Sequence, residues 1–155
     1  KIEVAGSPAV TVSYGSSFKV EVSAYRNLIN KLETIVNGDV LKVGYKSGTS
    51  VVNDNAEVFI TLPLLTKFTT TGKSHVFITS GNADNFAAKI VGAGKIEGLG
   101  FTAGNANITI EGSGTAAFMV TDKLNAKSTG SGIVYYKGNA AVTSVITGSG
   151  KVEKL

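Results

Sequence analysis

The sequence predicts an all-β fold: a single-stranded right-handed parallel β-helix, a solenoid with 18–20-residue coils and an irregular N-terminal cap. Three observations predict it. A Gly-small-Gly tripeptide recurs as Gly92-Ala93-Gly94, Gly112-Ser113-Gly114, Gly130-Ser131-Gly132 and Gly148-Ser149-Gly150, at spacings of 20, 18 and 18 residues. Apolar and polar residues alternate ahead of each copy. The composition favours strands, with valine and threonine throughout, 19 glycines and only 2 prolines.

The alternation sets the strands. Counting back two, four and six residues from each first glycine gives Phe86, Ala88 and Ile90; Ala106, Ile108 and Ile110; Leu124, Ala126 and Ser128; Val142, Ser144 and Ile146. None of these is charged, whereas Lys89, Asn107, Glu111, Asn125 and Lys127 fall between them. A period of two means one buried face per strand. Four residues after each first glycine stands another apolar residue (Ile96, Ala116, Val134, Val152), so a second short strand follows each turn. Thr71-Gly72-Lys73-Ser74, followed by Val76, is a weaker copy 20 residues earlier. One coil cannot bury its apolar face alone; stacked coils, about 4.8 Å apart, form a continuous core. Right-handedness follows from the usual crossover rule. A left-handed hexapeptide helix would need an aliphatic residue every six, a pattern the chain lacks. An antiparallel sandwich with Gly-x-Gly hairpins is the structural runner-up, but it leaves the 18–20-residue recurrence unexplained.

The N-terminal third is less regular. Val10-Thr11-Val12 and Phe18 to Val22 alternate, with Tyr14-Gly15-Ser16-Ser17 as a turn. Between Tyr25 and Val36, Leu28, Leu32 and Ile35 have helical spacing, while Leu32, Thr34 and Val36 alternate. The run into Asn37-Gly38-Asp39, a hairpin turn, favours strand. Val40 to Tyr45 is strand, residues 46–55 are a polar loop, and Val58 to Leu62 is a strand stopped by Pro63. The chain reads as one domain, 1–155, with residues 1–55 as N-terminal cap and 56–155 as regular coils.

Composition narrows the function classes. The net charge is +4, but the lysines are scattered and Arg26 is the sole arginine, so a nucleic-acid partner is not expected. The absence of cysteine excludes disulfides and thiol chemistry. No apolar run of membrane-spanning length occurs. The chain begins at Lys1 and shows no signal peptide, which reads as a mature fragment with its targeting segment removed.

Asn27 to Thr34, Leu41-Lys42-Val43, Val58 to Pro63, Ile133 to Gly138 and the closing Ser149-Gly150-Lys151-Val152, with the Gly-Ser-Gly coils between, resemble the head GIN domain of auto-transporter adhesins. The resemblance spans nearly the whole chain. It implies an exported right-handed β-helix of Bacteroidetes-type bacteria, on the outer-membrane surface or in the periplasm, with a lipoprotein or secretion signal outside this fragment. The family's function is undetermined, "adhesin" being a label by analogy, and it carries no catalytic residues or cofactors. Members often place Asp after Gly-Ser-Gly; here Lys95, Thr115, Ile133 and Lys151 stand there, which argues against a carboxylate ladder for cations.

Single residues add little chemistry. His75 has no evident nucleophile or metal-ligand partners and reads as an exposed turn residue. Asp84, Glu97, Glu111 and Asp122 fall in successive coils, but only Asp84 and Asp122 share an offset from the glycines, so the paired carboxylates of a glycosidase are not assembled. Calcium-binding nonapeptide repeats need doubled glycines and an aspartate that are missing. The adjacent aromatics Tyr135 and Tyr136 must point to opposite sides of a strand, and Phe77 sits at the offset of Tyr135. These three are the candidate binding residues, with stacked core aromatics as the alternative. The expectation is a non-enzymatic surface domain, an adhesin or scaffold whose ligand is a glycan or a protein, with self-association through the C-terminal coil as a further option. The alternative is a carbohydrate-binding or carbohydrate-active β-helix of the polysaccharide lyase or glycosidase kind.

Overall fold

A computed structural model describes all residues from Lys1 to Leu155. In chain order it contains β1 (Ile2–Gly6), β2 (Ala9–Tyr14), β3 (Lys19–Ser23), α1 (Arg26–Ile29), β4 (Leu32–Asn37), β5 (Val40–Tyr45), β6 (Glu57–Leu62), β7 (Lys67–Gly72) and β8 (His75–Ile78). There follow β9 (Asn82–Gly92), β10 (Lys95–Gly112), β11 (Thr115–Gly130), β12 (Ile133–Lys137), β13 (Ala141–Gly148) and β14 (Lys151–Lys154). The chain is a β-solenoid, as the recurring glycines require.

Two parallel ladders run up the stack. The first passes from β5 through β1 and β7 to the C-terminal halves of β9, β10 and β11, then β13. The second passes from β6 through β2 and β8 to the N-terminal parts of β10 and β11, then β12 and β14. The order along the stack is not the order along the chain. The coil made by β1 and β2 is inserted between the β5–β6 coil and the β7–β8 coil. Residues 2–14 are therefore a regular coil inside the stack. At the base β3 and β4 run antiparallel to β6 and β5 and cover the edges those strands would expose. Within residues 25–36, expected as strand, the four residues of α1 are helical and Leu32 onward is strand. So short a helix is not self-sustaining; burial of Leu28 at 5% exposure holds it.

Each coil turns at a glycine. Gly6, Gly72, Gly92, Gly112, Gly130 and Gly148 stand in one column, each paired with the next. Their φ values lie between +99° and +126°, a region closed to other L-residues without strain. The backbones also approach closely: a Cβ on Gly112 would stand 2.5 Å from the carbonyl oxygen of Gly92. At four corners the residue after the glycine donates its amide to the glycine one coil back, and at the last corner Gly150 donates to Gly130. Lys73 donates to Gly6, Ala93 to Gly72, Ser113 to Gly92 and Ser131 to Gly112, each at 3.0 Å. Gly6-Ser7-Pro8 is thus a copy of the corner that its proline conceals in the sequence.

The inward columns form one core. The nine positions Phe86, Ala88, Ile90, Ala106, Ile108, Ile110, Leu124, Ala126 and Ser128 are all buried, as are Val76, Ile96, Ala116 and Val134. Buried hydroxyls are satisfied locally: Thr70 bonds Ser74, and Ser128 donates to the Gly132 carbonyl at 3.1 Å. The 20-residue coil of β10 is two residues longer than its successor: Leu99, Gly100 and Phe101 have no counterparts between Phe118 and Met119, and Gly104 alone stands against Thr121 and Asp122. The bulge carries Phe101 into the core, where its ring lies 4.8 Å from Phe86, itself 5.1 Å from Phe118. The inward positions of the last coil have nothing above them, so Val142 is 39% exposed.

A second fixture ties the long polar loop to the stack. Asp54 accepts hydrogen bonds from the Tyr45 hydroxyl at 2.5 Å, the Ser7 hydroxyl at 2.6 Å and the Ala56 amide at 2.9 Å. Burial, and then the Asp54 carboxylate, push the Tyr45 hydroxyl well above its ordinary range, so it remains a donor to Asp54.

The corner makes a sharp stability prediction. Gly112→Ala adds both backbone strain and a steric clash and is expected to destabilise by about 2–5 kcal/mol. Gly38→Ala, at φ +61° with nothing within 4 Å of the added Cβ, is expected to cost about 1 kcal/mol. Urea unfolding of the two variants measures the difference.

Candidate functional site

The outward side chains of the second ladder also stack in register. One column reads Phe59, Thr11, Phe77, Glu97, Ala117, Tyr135 and Glu153. Its members face out because their strand neighbours face in: Val76 and Ile78 flank Phe77, and Val134 precedes Tyr135, all three buried. Coils repeat every 4.8 Å or so, which puts Phe77 and Tyr135 about 14 Å apart, three coils, on one flat face. Small Ala117 lies between them and leaves a depression.

That depression is a groove of about 520 Å³ lined by Phe77, Leu99, Ala117, Tyr135 and Leu155, together with Lys95 and Glu97. Phe77 is 36%, Leu99 39% and Leu155 55% exposed. Leu99 reaches the groove because the bulge after Gly98 displaces it outward. Gly98 cannot carry a side chain there, since a Cβ would stand 2.5 Å from the Phe118 ring.

The polar end of the groove is one linked cluster. His75 is the first residue of β8 rather than a turn residue, and its ring tilts over Phe77 at a centroid distance of 4.2 Å. His75 Nε2 lies 2.9 Å from Glu97 Oε1, and Lys95 Nζ pairs with the same oxygen. Lys95 first, and His75 second, hold the Glu97 carboxyl below its ordinary value. A depressed carboxyl adds stability above its unfolded value and loses it as pH falls through the folded one; at so exposed a site the contribution is small.

The structure brings Phe77 and Tyr135 into one groove and separates Tyr136 from them. Tyr136 pairs with Phe118 in the inward column and packs, half-buried, against the core. The four carboxylates of successive coils do not converge either. Glu97 lies on the second ladder, Glu111 pairs with Lys89 at 2.8 Å on the first, and Asp84 and Asp122 stand two coils apart beside the coil of Gly104. Leu99 and Leu155 belong to the groove but carry no periodic signal, one lying in a bulge and the other beyond the last strand. No cluster of three or more His, Asp or Glu side chains is placed to hold a metal ion. No helix is long and apolar enough to cross a membrane.

The two tyrosines separate packing from recognition. Tyr136→Ala is expected to lower stability by about 1–3 kcal/mol through lost core contacts, and Tyr135→Ala, half-buried but outside the core, by less, about 0.5–1 kcal/mol. Thermal unfolding of both variants checks this.

Comparison with known proteins places this geometry in context. The sequence profile of the family described as "Putative auto-transporter adhesin, head GIN domain" matches the chain twice, over residues 1–80 and 76–140. The solved structure of a "putative adhesin" from Bacteroides fragilis NCTC 9343 superimposes with a TM-score of 0.60 at 16% identity, over 99% of this chain and 91% of that one. "Putative adhesins" from Parabacteroides distasonis ATCC 8503 and Parabacteroides merdae ATCC 43184 give TM-scores of 0.53 and 0.51 at 21% and 19% identity, with the same coverage. At such identities the likeness is one of fold. No curated protein is similar to the chain.

Proposed function

The chain belongs to the head GIN domain family of auto-transporter adhesins, and from that premise we propose that it is a non-enzymatic adhesion module, displayed outside the cytoplasm, which binds glycans through the groove on its second ladder. One observation carries the reading: Phe77 and Tyr135, far apart in the chain, line a single open groove together with the charged pair Lys95 and Glu97. Sugar rings present apolar faces and hydroxyl edges. Exposed aromatic rings stack on the faces, as they anchor many recognition sites. Glu97 and Lys95, held against each other, offer an acceptor and donors for the hydroxyls. The site is rigid because it is built on strands whose opposite faces fill the core, so little ordering entropy opposes binding.

Binding of the purified chain to arrayed glycans and to extracellular-matrix proteins tests the reading. The expected outcome is saturable glycan binding that Tyr135→Ala and Phe77→Ala each weaken roughly tenfold and that Tyr136→Phe leaves unchanged. Glycan binding indifferent to Tyr135 and Phe77 would move the site elsewhere. Binding to matrix proteins alone would replace the glycan with a protein ligand.

A further inference from the structure

The base of the solenoid is only half closed. β3 and β4 extend the two ladders downward as opposed walls, and the α1 connection joins their far ends, where Leu28 is buried. At the other ends, Phe18 and Val20 on one side and Val36 and Gly38 on the other leave a gap. The gap is a cavity of about 490 Å³ floored by Ile2, Ile60 and Leu62. Its walls are unusually apolar for a surface: Phe18 is 81%, Val36 73%, Leu64 56% and Val20 39% exposed. Exposed apolar residues gathered around one concavity mark a binding site more often than a solvated surface does, and the volume lies in the range of small-molecule sites.

The mouth carries Lys1, Lys19 and Asp39. Lys1 neutralises Asp39 at 2.8 Å, and Lys19 reaches toward Glu21, on its own strand outside the cavity, at 3.0 Å. Two lysines thus face one carboxylate in the lining, and Glu21, the partner of Lys19, lies outside it. From the apolar walls, the concavity and the lysines at its mouth, we infer that the base cavity binds an amphiphile with one apolar chain and one anionic end, a long-chain fatty acid. The chain lies between Phe18 and Val36 over Ile60, and the carboxylate exchanges with Glu21 for the Lys19 ammonium. This site is at the end of the stack, independent of the groove at Phe77 and Tyr135.

Fluorescence titration with cis-parinaric acid, and with its methyl ester as the uncharged probe, tests this. The expected result is saturable one-to-one binding of the acid, weakened roughly fivefold in Lys19→Glu and for the ester. Val36→Trp, whose indole fills the gap, is expected to abolish binding. Val36 is largely exposed, so the same variant should keep the parent's thermal unfolding curve. Tyr135→Ala should bind the probe as the parent does. No saturable binding by the parent chain, or equal binding by Val36→Trp, overturns the inference. A dimer seen by light scattering that Val36→Trp dissolves, with no probe bound, also overturns it and assigns the cavity to a second copy.

Discussion

The structure depends on the approach of one backbone to another at the glycine corners. No strand of the stack could persist alone. What fixes the strands' register is that each corner glycine sits under the carbonyl of the glycine one coil back, with an amide of the same corner bonded to it at 3.0 Å. A side chain at that point would force the coils apart, and the strands on both sides would lose their ladder partners. Positive φ and close approach make two independent demands, and glycine alone meets both.

Once the corners are in register, every other property of the molecule is a column. Inward columns make the core, with Phe86, Phe101 and Phe118 as its widest layer. Outward columns make flat faces whose relief follows the size of successive residues. The groove exists because Ala117 separates Glu97 from Tyr135, and it widens because the bulge turns Leu99 out. The ends of the stack lack this logic. The top coil leaves Val142 partly uncovered, and the base is covered by two antiparallel strands with a cavity between them.

Much of this was legible in the sequence. The Gly-small-Gly spacing gave the coil length, and the inward positions counted back from each glycine are buried wherever a further coil covers them. The threading of the first coil was hidden, because Gly6-Ser7-Pro8 lacks the second glycine and lies 66 residues from its pairing partner Gly72. Pairing between distant segments leaves no periodic trace. At Arg26–Ile29 the strand expectation gave way to one helical turn, held by the packing of Leu28 rather than by propensity. At the groove, alternation separated Tyr135 from Tyr136 and matched Phe77 to Tyr135. It could not supply Leu99 or Leu155, nor the contact of His75 with Glu97 across neighbouring coils.

Amide hydrogen exchange at the corners tests the account most directly. The amides of Ala93, Ser113 and Ser131 lie in surface turns but donate to the coil below. They should exchange as slowly as the strand amides of Ile96, Ala116 and Val134 beside them. Exchange at the rate of the Lys46–Asn55 loop would contradict the claim that inter-coil bonds at the glycines hold the stack in register.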